Sequence, residues 1–183
     1  MENYVKAILY AYPRMETLKT EYSEHIENKA VLSFRGREST VELVEYLAGQ
    51  IIQKEKLTAL KEIVDKVWAE LSPVEQTLVA IRYFGKPTKI KRFPFQSENA
   101  FENFESVRSR LKGALSSERN YFRRQARLLK HIATLFRFYG LSEEVFLKEY
   151  IQIEAVKRIF DLVNDGKDKR LTISERRWLT TGE

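Results

Sequence analysis

The apolar residues of this chain recur at steps of three and four over most of its length. That is the period of one face of an α-helix, and it restricts the architectures open to the chain. Val5, Ile8, Leu9 and Tyr12 begin the pattern, and Met15, Leu18, Tyr22, Ile26 and Ala30 carry it to about Leu32. Pro13 lies between these two runs, where it ends one helix or opens the next. Residues 35–40 (RGREST) read as a turn, with Ser39 or Thr40 as helix cap. A long helix is predicted from Val41 to about Leu71, through Leu47, Ile51, Leu57, Leu60, Val64 and Val67. Residues 1–71 thus predict a helical hairpin with a short extra helix.

Ser72-Pro73-Val74-Glu75 matches a capping box with proline at the first helical position. In that motif the serine hydroxyl and the glutamate carboxylate each accept a backbone N–H that the helix start leaves over. A helix is therefore expected from here to Gly85. Residues 86–96 differ, because Pro87 and Pro94 exclude a regular helix. There Lys86, Lys89, Lys91 and Arg92 alternate with Ile90, Phe93 and Phe95. This is either an arm that touches phosphates or a connector whose aromatics tuck into the core. The GKPT at 85–88 is not a phosphate loop, since Ala80 stands where the first glycine belongs and Pro87 where Ser or Thr does. Helical spacing resumes over 97–115, and LSS turns the chain into the stretch Ser116–Tyr139.

In that stretch Ser117 is a candidate N-cap and Gly140 a candidate C′ residue. Phe122, Ala126, Leu129, Ile132, Ala133, Phe136 and Tyr139 form an apolar stripe, while Arg119, Arg123, Arg127, Lys130, Thr134 and Arg137 form a second, cationic one. Glu118 is the only acid between Ser116 and Tyr139, so local i,i+4 pairing does not neutralise the cations. The wider charge distribution agrees: residues 85–139 hold 13 basic and 4 acidic side chains, whereas residues 1–71 hold 10 and 12. A basic block of this kind is the electrostatic footprint of a polyanion binder, although charge runs also serve only as solvated faces. After Gly140, Ser142 caps a single expected helix running through Phe146, Tyr150, Ile153, Val156 and Val163, followed by a turn (NDGKDKR) and a short helix with Trp178 and Leu179. The expected fold is all-α: a hairpin (1–71), a helix-turn-helix-like basic bundle (72–140) and C-terminal helices packing on the rest (141–183).

Composition narrows the function classes. The chain has no cysteine and only two histidines, His25 and His131, so thiolate chemistry and a His/Cys metal centre are not expected. Asn164, Asp168, Thr172 and Glu175 have the spacing of a calcium loop, but Gly166 and Lys169 occupy positions that need an oxygen ligand and a glycine. No catalytic residue, metal or cofactor is expected, and the chain reads as a non-enzyme. No apolar run reaches the length that spans a bilayer, and MENYVKAILYAY lacks the features of a signal peptide. The expected location is the cytoplasm, with no membrane partner.

LSPVEQTLVAIRYFG (71–85) resembles the opening helix of sigma factor region 4. SERNYFRRQARLLKHI (117–132) resembles the recognition helix of that module and of small phage-type transcriptional regulators. The resemblance covers about residues 71–139 and implies a helix-turn-helix on duplex DNA. It places Ser117, Arg119, Asn120, Arg123, Arg124 and Arg127 toward the DNA, while Lys130, Lys89, Lys91 and Arg92 are candidate phosphate contacts. A DNA-binding transcriptional regulator is the expectation, with RNA polymerase or another protein, or a second copy in a homodimer, as further candidate partners. The alternatives are an all-helical interaction module whose basic face docks an acidic partner, or an RNA binder that stacks bases on Tyr121 or Phe93.

Overall fold

A computed structural model of the chain describes residues 2–33, 40–84 and 118–166. The turn expected at 35–39, the arm at 86–96, the helix at 97–115, the turn into Ser117 and all residues after Gly166 lie outside the described residues. What is described is all-α, without a strand. It begins with α1 (Asn3–Ala11) and a 3-10 turn at Tyr12–Arg14 that accommodates Pro13. Next come α2 (Met15–Ser33) and α3 (Thr40–Glu70), which lie along each other as the expected antiparallel hairpin. The Tyr22 hydroxyl donates to Gln53 Oε1 at 2.8 Å, and His25 Nε2 meets the Tyr46 hydroxyl at 2.6 Å.

Among the described elements the short first helix is the most enclosed. Tyr4, Val5, Ala7, Ile8, Leu9 and Ala11 of α1 are all buried, so its apolar surface is not confined to one face, and a helix apolar on several sides belongs in an interior. α1 packs along α7 (Glu154–Asn164), where Asn3 Nδ2 donates to Asn164 Oδ1 at 2.9 Å. It also touches α5 (Glu118–Phe138). Tyr12, at its end, donates to Asp65 Oδ1 at 2.7 Å, and Lys61 holds the other Asp65 oxygen at 2.7 Å.

Two widened turns flank α1. α4 (Pro73–Val79) continues as a π-helical turn at Ala80–Phe84, and α6 (Glu143–Val145) continues as another at Phe146–Tyr150. A π turn closes its ladder one residue later than an α turn. Both of these turns present aromatic rings to α1: Tyr10 meets Tyr83 edge-on at 4.8 Å, and Tyr4 meets Phe146 at 5.9 Å. Tyr12 lies 5.8 Å from Phe84, whose ring also contacts Trp68 at 5.4 Å.

The single helix expected after Ser142 is corrected by the structure. Ser142 does cap a helix start, accepting from the Val145 N–H at 3.2 Å. The chain then breaks at Ile151–Ile153, where Ile153 is extended (φ −72°, ψ 112°), before α7 begins. The break lets Phe146 and Tyr150 on one side, and Ile153, Val156 and Ile159 on the other, all be buried. The apolar steps run through it unchanged, so their period could not reveal it.

Candidate nucleic-acid interface

Three side-chain bonds fix α5 against the segment that precedes it. Gln125 Nε2 donates to the Leu78 carbonyl at 3.0 Å, His131 Nδ1 meets Glu75 Oε1 at 2.8 Å, and the Tyr139 hydroxyl donates to Glu70 Oε1 at 3.3 Å. Partner numbers fall as residue numbers along α5 rise, so the helix runs antiparallel to the stretch from Glu70 to Leu78. The capping box supplies the middle anchor. The Ser72 backbone N–H and hydroxyl both donate to Glu75 Oε2, at 3.0 and 2.7 Å, and the Glu75 N–H donates back to Ser72 Oγ. Burial pushes the Glu75 carboxyl up, but the bonds from Ser72 and from His131 outweigh it and hold the group below its ordinary 4.5.

α5 ends as a Schellman motif. Gly140 takes φ +82°, Leu141 N–H donates to the Phe136 carbonyl at 2.8 Å and Gly140 N–H to the Arg137 carbonyl at 3.0 Å. Leu141 and Phe136, the apolar pair that accompanies this motif, are fully buried. The inward side of α5 is therefore anchored from Gln125 to its C-terminal end.

Among the described side chains the buried stripe is Gln125, Leu128, Leu129, Ile132, Ala133 and Phe136, while that of Phe122 lies outside them. This corrects the expected one, because Ala126 is exposed while Gln125 and Leu128 are each 4% exposed. The physical reason is the Leu78 carbonyl, which lies just ahead of the widened turn and accepts from the glutamine Nε2 in the interior. Turning Leu128 inward instead of Ala126 also buries far more apolar surface.

On the outer side Arg123, Arg124, Arg127 and Lys130 are exposed, and none of them makes an ion pair with a described residue. Seven residues separate Arg123 from Lys130, a rise of about 10 Å along the helix. Thr134 is exposed in the same row, its hydroxyl donating to the Lys130 carbonyl at 3.0 Å, and Arg137 and Phe138 complete the face toward its C-terminal end. Phe138 is 80% exposed; the sequence pattern gave no reason to single it out, since only its neighbours Phe136 and Tyr139 fit the apolar steps. Arg119 and Asn120 are on the first turn of α5, but their side chains lie outside the described residues. Ser117, Lys89, Lys91 and Arg92 lie outside them altogether. The structure thus brings together four of the ten expected contact residues.

Among the described residues no three His, Cys, Asp or Glu side chains are grouped to hold a metal ion, and no helix is long and apolar enough to cross a membrane. No family model matches this chain, and neither a curated protein nor a solved structure matches it.

Proposed function

We propose that the protein binds duplex DNA through the outer face of α5 and acts as a transcriptional regulator in the cytoplasm. The observation that carries this reading is the pairing of two faces on one helix. One side of α5 is buried and bonded at three points, while Arg123, Arg124, Arg127 and Lys130 stand exposed on the other without a carboxylate partner among the described residues. Cations without a carboxylate partner among the described residues can neutralise phosphates, and release of the counterions condensed on the duplex then favours binding. An α-helix fits the major groove, where arginine bonds the two acceptors of guanine. The likeness of residues 71–85 and 117–132 to sigma region 4 supports transcription as the setting and RNA polymerase as a further partner.

The test is fluorescence anisotropy of a labelled random-sequence duplex titrated with the full chain at several salt concentrations. Log affinity should fall linearly with log salt, with a slope of about −0.9 for each phosphate neutralised. Arg127→Glu combined with Lys130→Glu should abolish binding while leaving the helical circular dichroism unchanged. Salt-insensitive binding, or a double variant that binds as the native chain does, overturns the reading.

A further inference from the structure

The part of the α2–α3 hairpin remote from the core is apolar on the side that water reaches. Burial on α3 begins at Leu57 and continues through Leu60, Val64 and Val67. Between Thr40 and Lys56 no residue of α3 is buried. In that half Val41, Val44, Ile51 and Ile52 are 65%, 59%, 42% and 51% exposed, with Ala48 exposed among them. At 100° per residue these five fall within a sector about 100° wide, the width of an apolar stripe, with the exposed Glu55 entering it at the core-ward end. On α2, Val31 is 69% exposed near the same end. Beside the stripe a groove of about 410 Å³ runs between the two helices; Ile26, Ile51 and Ala59 give it apolar surface, and the carboxylates of Glu27, Glu55 and Glu62 line it against a single cation, Lys54.

Charge decides what could cover this surface. In sequence, residues 20–55 carry seven glutamates (Glu21, Glu24, Glu27, Glu38, Glu42, Glu45, Glu55) against four cations (Lys29, Arg35, Arg37, Lys54). A nucleic acid or an anionic bilayer is repelled by such a surface. A second copy related by a two-fold axis would present the same carboxylate-lined groove to this one. A helix with an apolar stripe flanked by Lys and Arg satisfies both the valines and isoleucines and the carboxylates beside them.

We propose that the outer half of the α2–α3 hairpin is a docking surface for a cationic amphipathic helix of a partner protein. This surface is separate from the α5 face, and it stands or falls independently of DNA binding.

The probe is a synthetic helical peptide of about five turns, with leucine along one stripe and lysine on its flanks; a matched peptide carries glutamate in place of each lysine. Each is titrated by anisotropy against the full chain, against Val44→Ser/Ile52→Ser and against Glu27→Gln/Glu55→Gln. The expected result is saturable one-to-one binding of the lysine peptide only, weakened about tenfold or more in each double variant, with Arg127→Gln behaving as the native chain. Equal binding to all forms, or no binding, overturns the proposal. Sedimentation of the native chain as a dimer that Val44→Ser/Ile52→Ser dissociates overturns it in favour of a second copy. A large fall in melting temperature in the same variant overturns it too, because the stripe is then packed by the chain itself.

Discussion

Glu75 and His131 meet at 2.8 Å although 56 residues of chain separate them, and the same carboxyl group closes the capping box on Ser72. One side chain therefore starts α4 and registers α5 beside it. Burial works against its charge, and the bonds from Ser72 and His131 more than compensate, so its folded pKa lies below 4.5. A carboxyl shifted downward stabilises the fold when ionised, in full above its unfolded value, and loses that contribution as pH falls through its folded value. Glu75→Gln should therefore be less stable than the native chain at about pH 6, and the gap should close as pH approaches about 3. Urea midpoints at the two pH values measure this, and a gap that persists in acid would count against it. Ser72→Ala removes the other half of the box and should cost about 1 kcal/mol.

Gln125 places an amide in the interior of the α4–α5 contact, 4% exposed, with its nitrogen on the Leu78 carbonyl. Gln125→Leu keeps the volume but strands that carbonyl, and an unsatisfied buried acceptor costs about 1–3 kcal/mol. Denaturant unfolding should place the loss in this range. A neutral or stabilising substitution would mean that the carbonyl finds another partner or water.

Gly140 needs its glycine for backbone reasons alone. At φ +82° a Cβ would meet nothing within 4 Å, so the cost of Gly140→Ala is conformational, about 1–2 kcal/mol. Thermal unfolding should show it. A substitution without effect would mean that the helix end re-forms without the left-handed residue.

What the sequence made legible were the features encoded by near neighbours. The Ser72–Glu75 box, Gly140, the Ser142 cap and the spans of α1 to α3 each depend on residues within a turn or two of one another, and all are present. What it hid depends on partners distant in the chain. Nothing local says that Gln125 rather than Ala126 turns inward, because the reason is a carbonyl on another helix. The break at Ile151–Ile153 preserves the apolar steps, and the two π turns differ from α turns by one residue. The central position of α1 arises from burial on several sides, whereas a stripe-based reading looks for one. On α5 the cations were identifiable from composition, but whether acids from other helices neutralise them required the fold.

Phe136 and Phe138 are two residues apart on α5 and occupy opposite environments, 0% and 80% exposed. Phe136→Ala opens a cavity beneath Leu141 and should cost about 3–5 kcal/mol. Phe138→Ala should change stability by no more than about 0.5 kcal/mol, as is usual for a solvated side chain. Comparing the two melting curves is a direct check on how α5 is rotated; similar losses would mean that the helix faces another way.

Four of the exposed cations of α5 allow a graded test of their role. Arg123, Arg124, Arg127 and Lys130 have no ion pair to lose among the described residues, so replacing any one by glutamine should leave stability unchanged within about 0.5 kcal/mol. The effect should appear in DNA binding instead. Each substitution that removes a phosphate contact flattens the plot of log affinity against log salt by about 0.9, and independent contacts add. A residue that reads a base behaves differently, costing about 1–3 kcal/mol on its preferred sequence and little on others. Measuring salt slopes and sequence preference for the four single variants sorts each side chain into one role or the other. Four variants with native slopes and native preferences would mean that these four side chains do not touch the DNA.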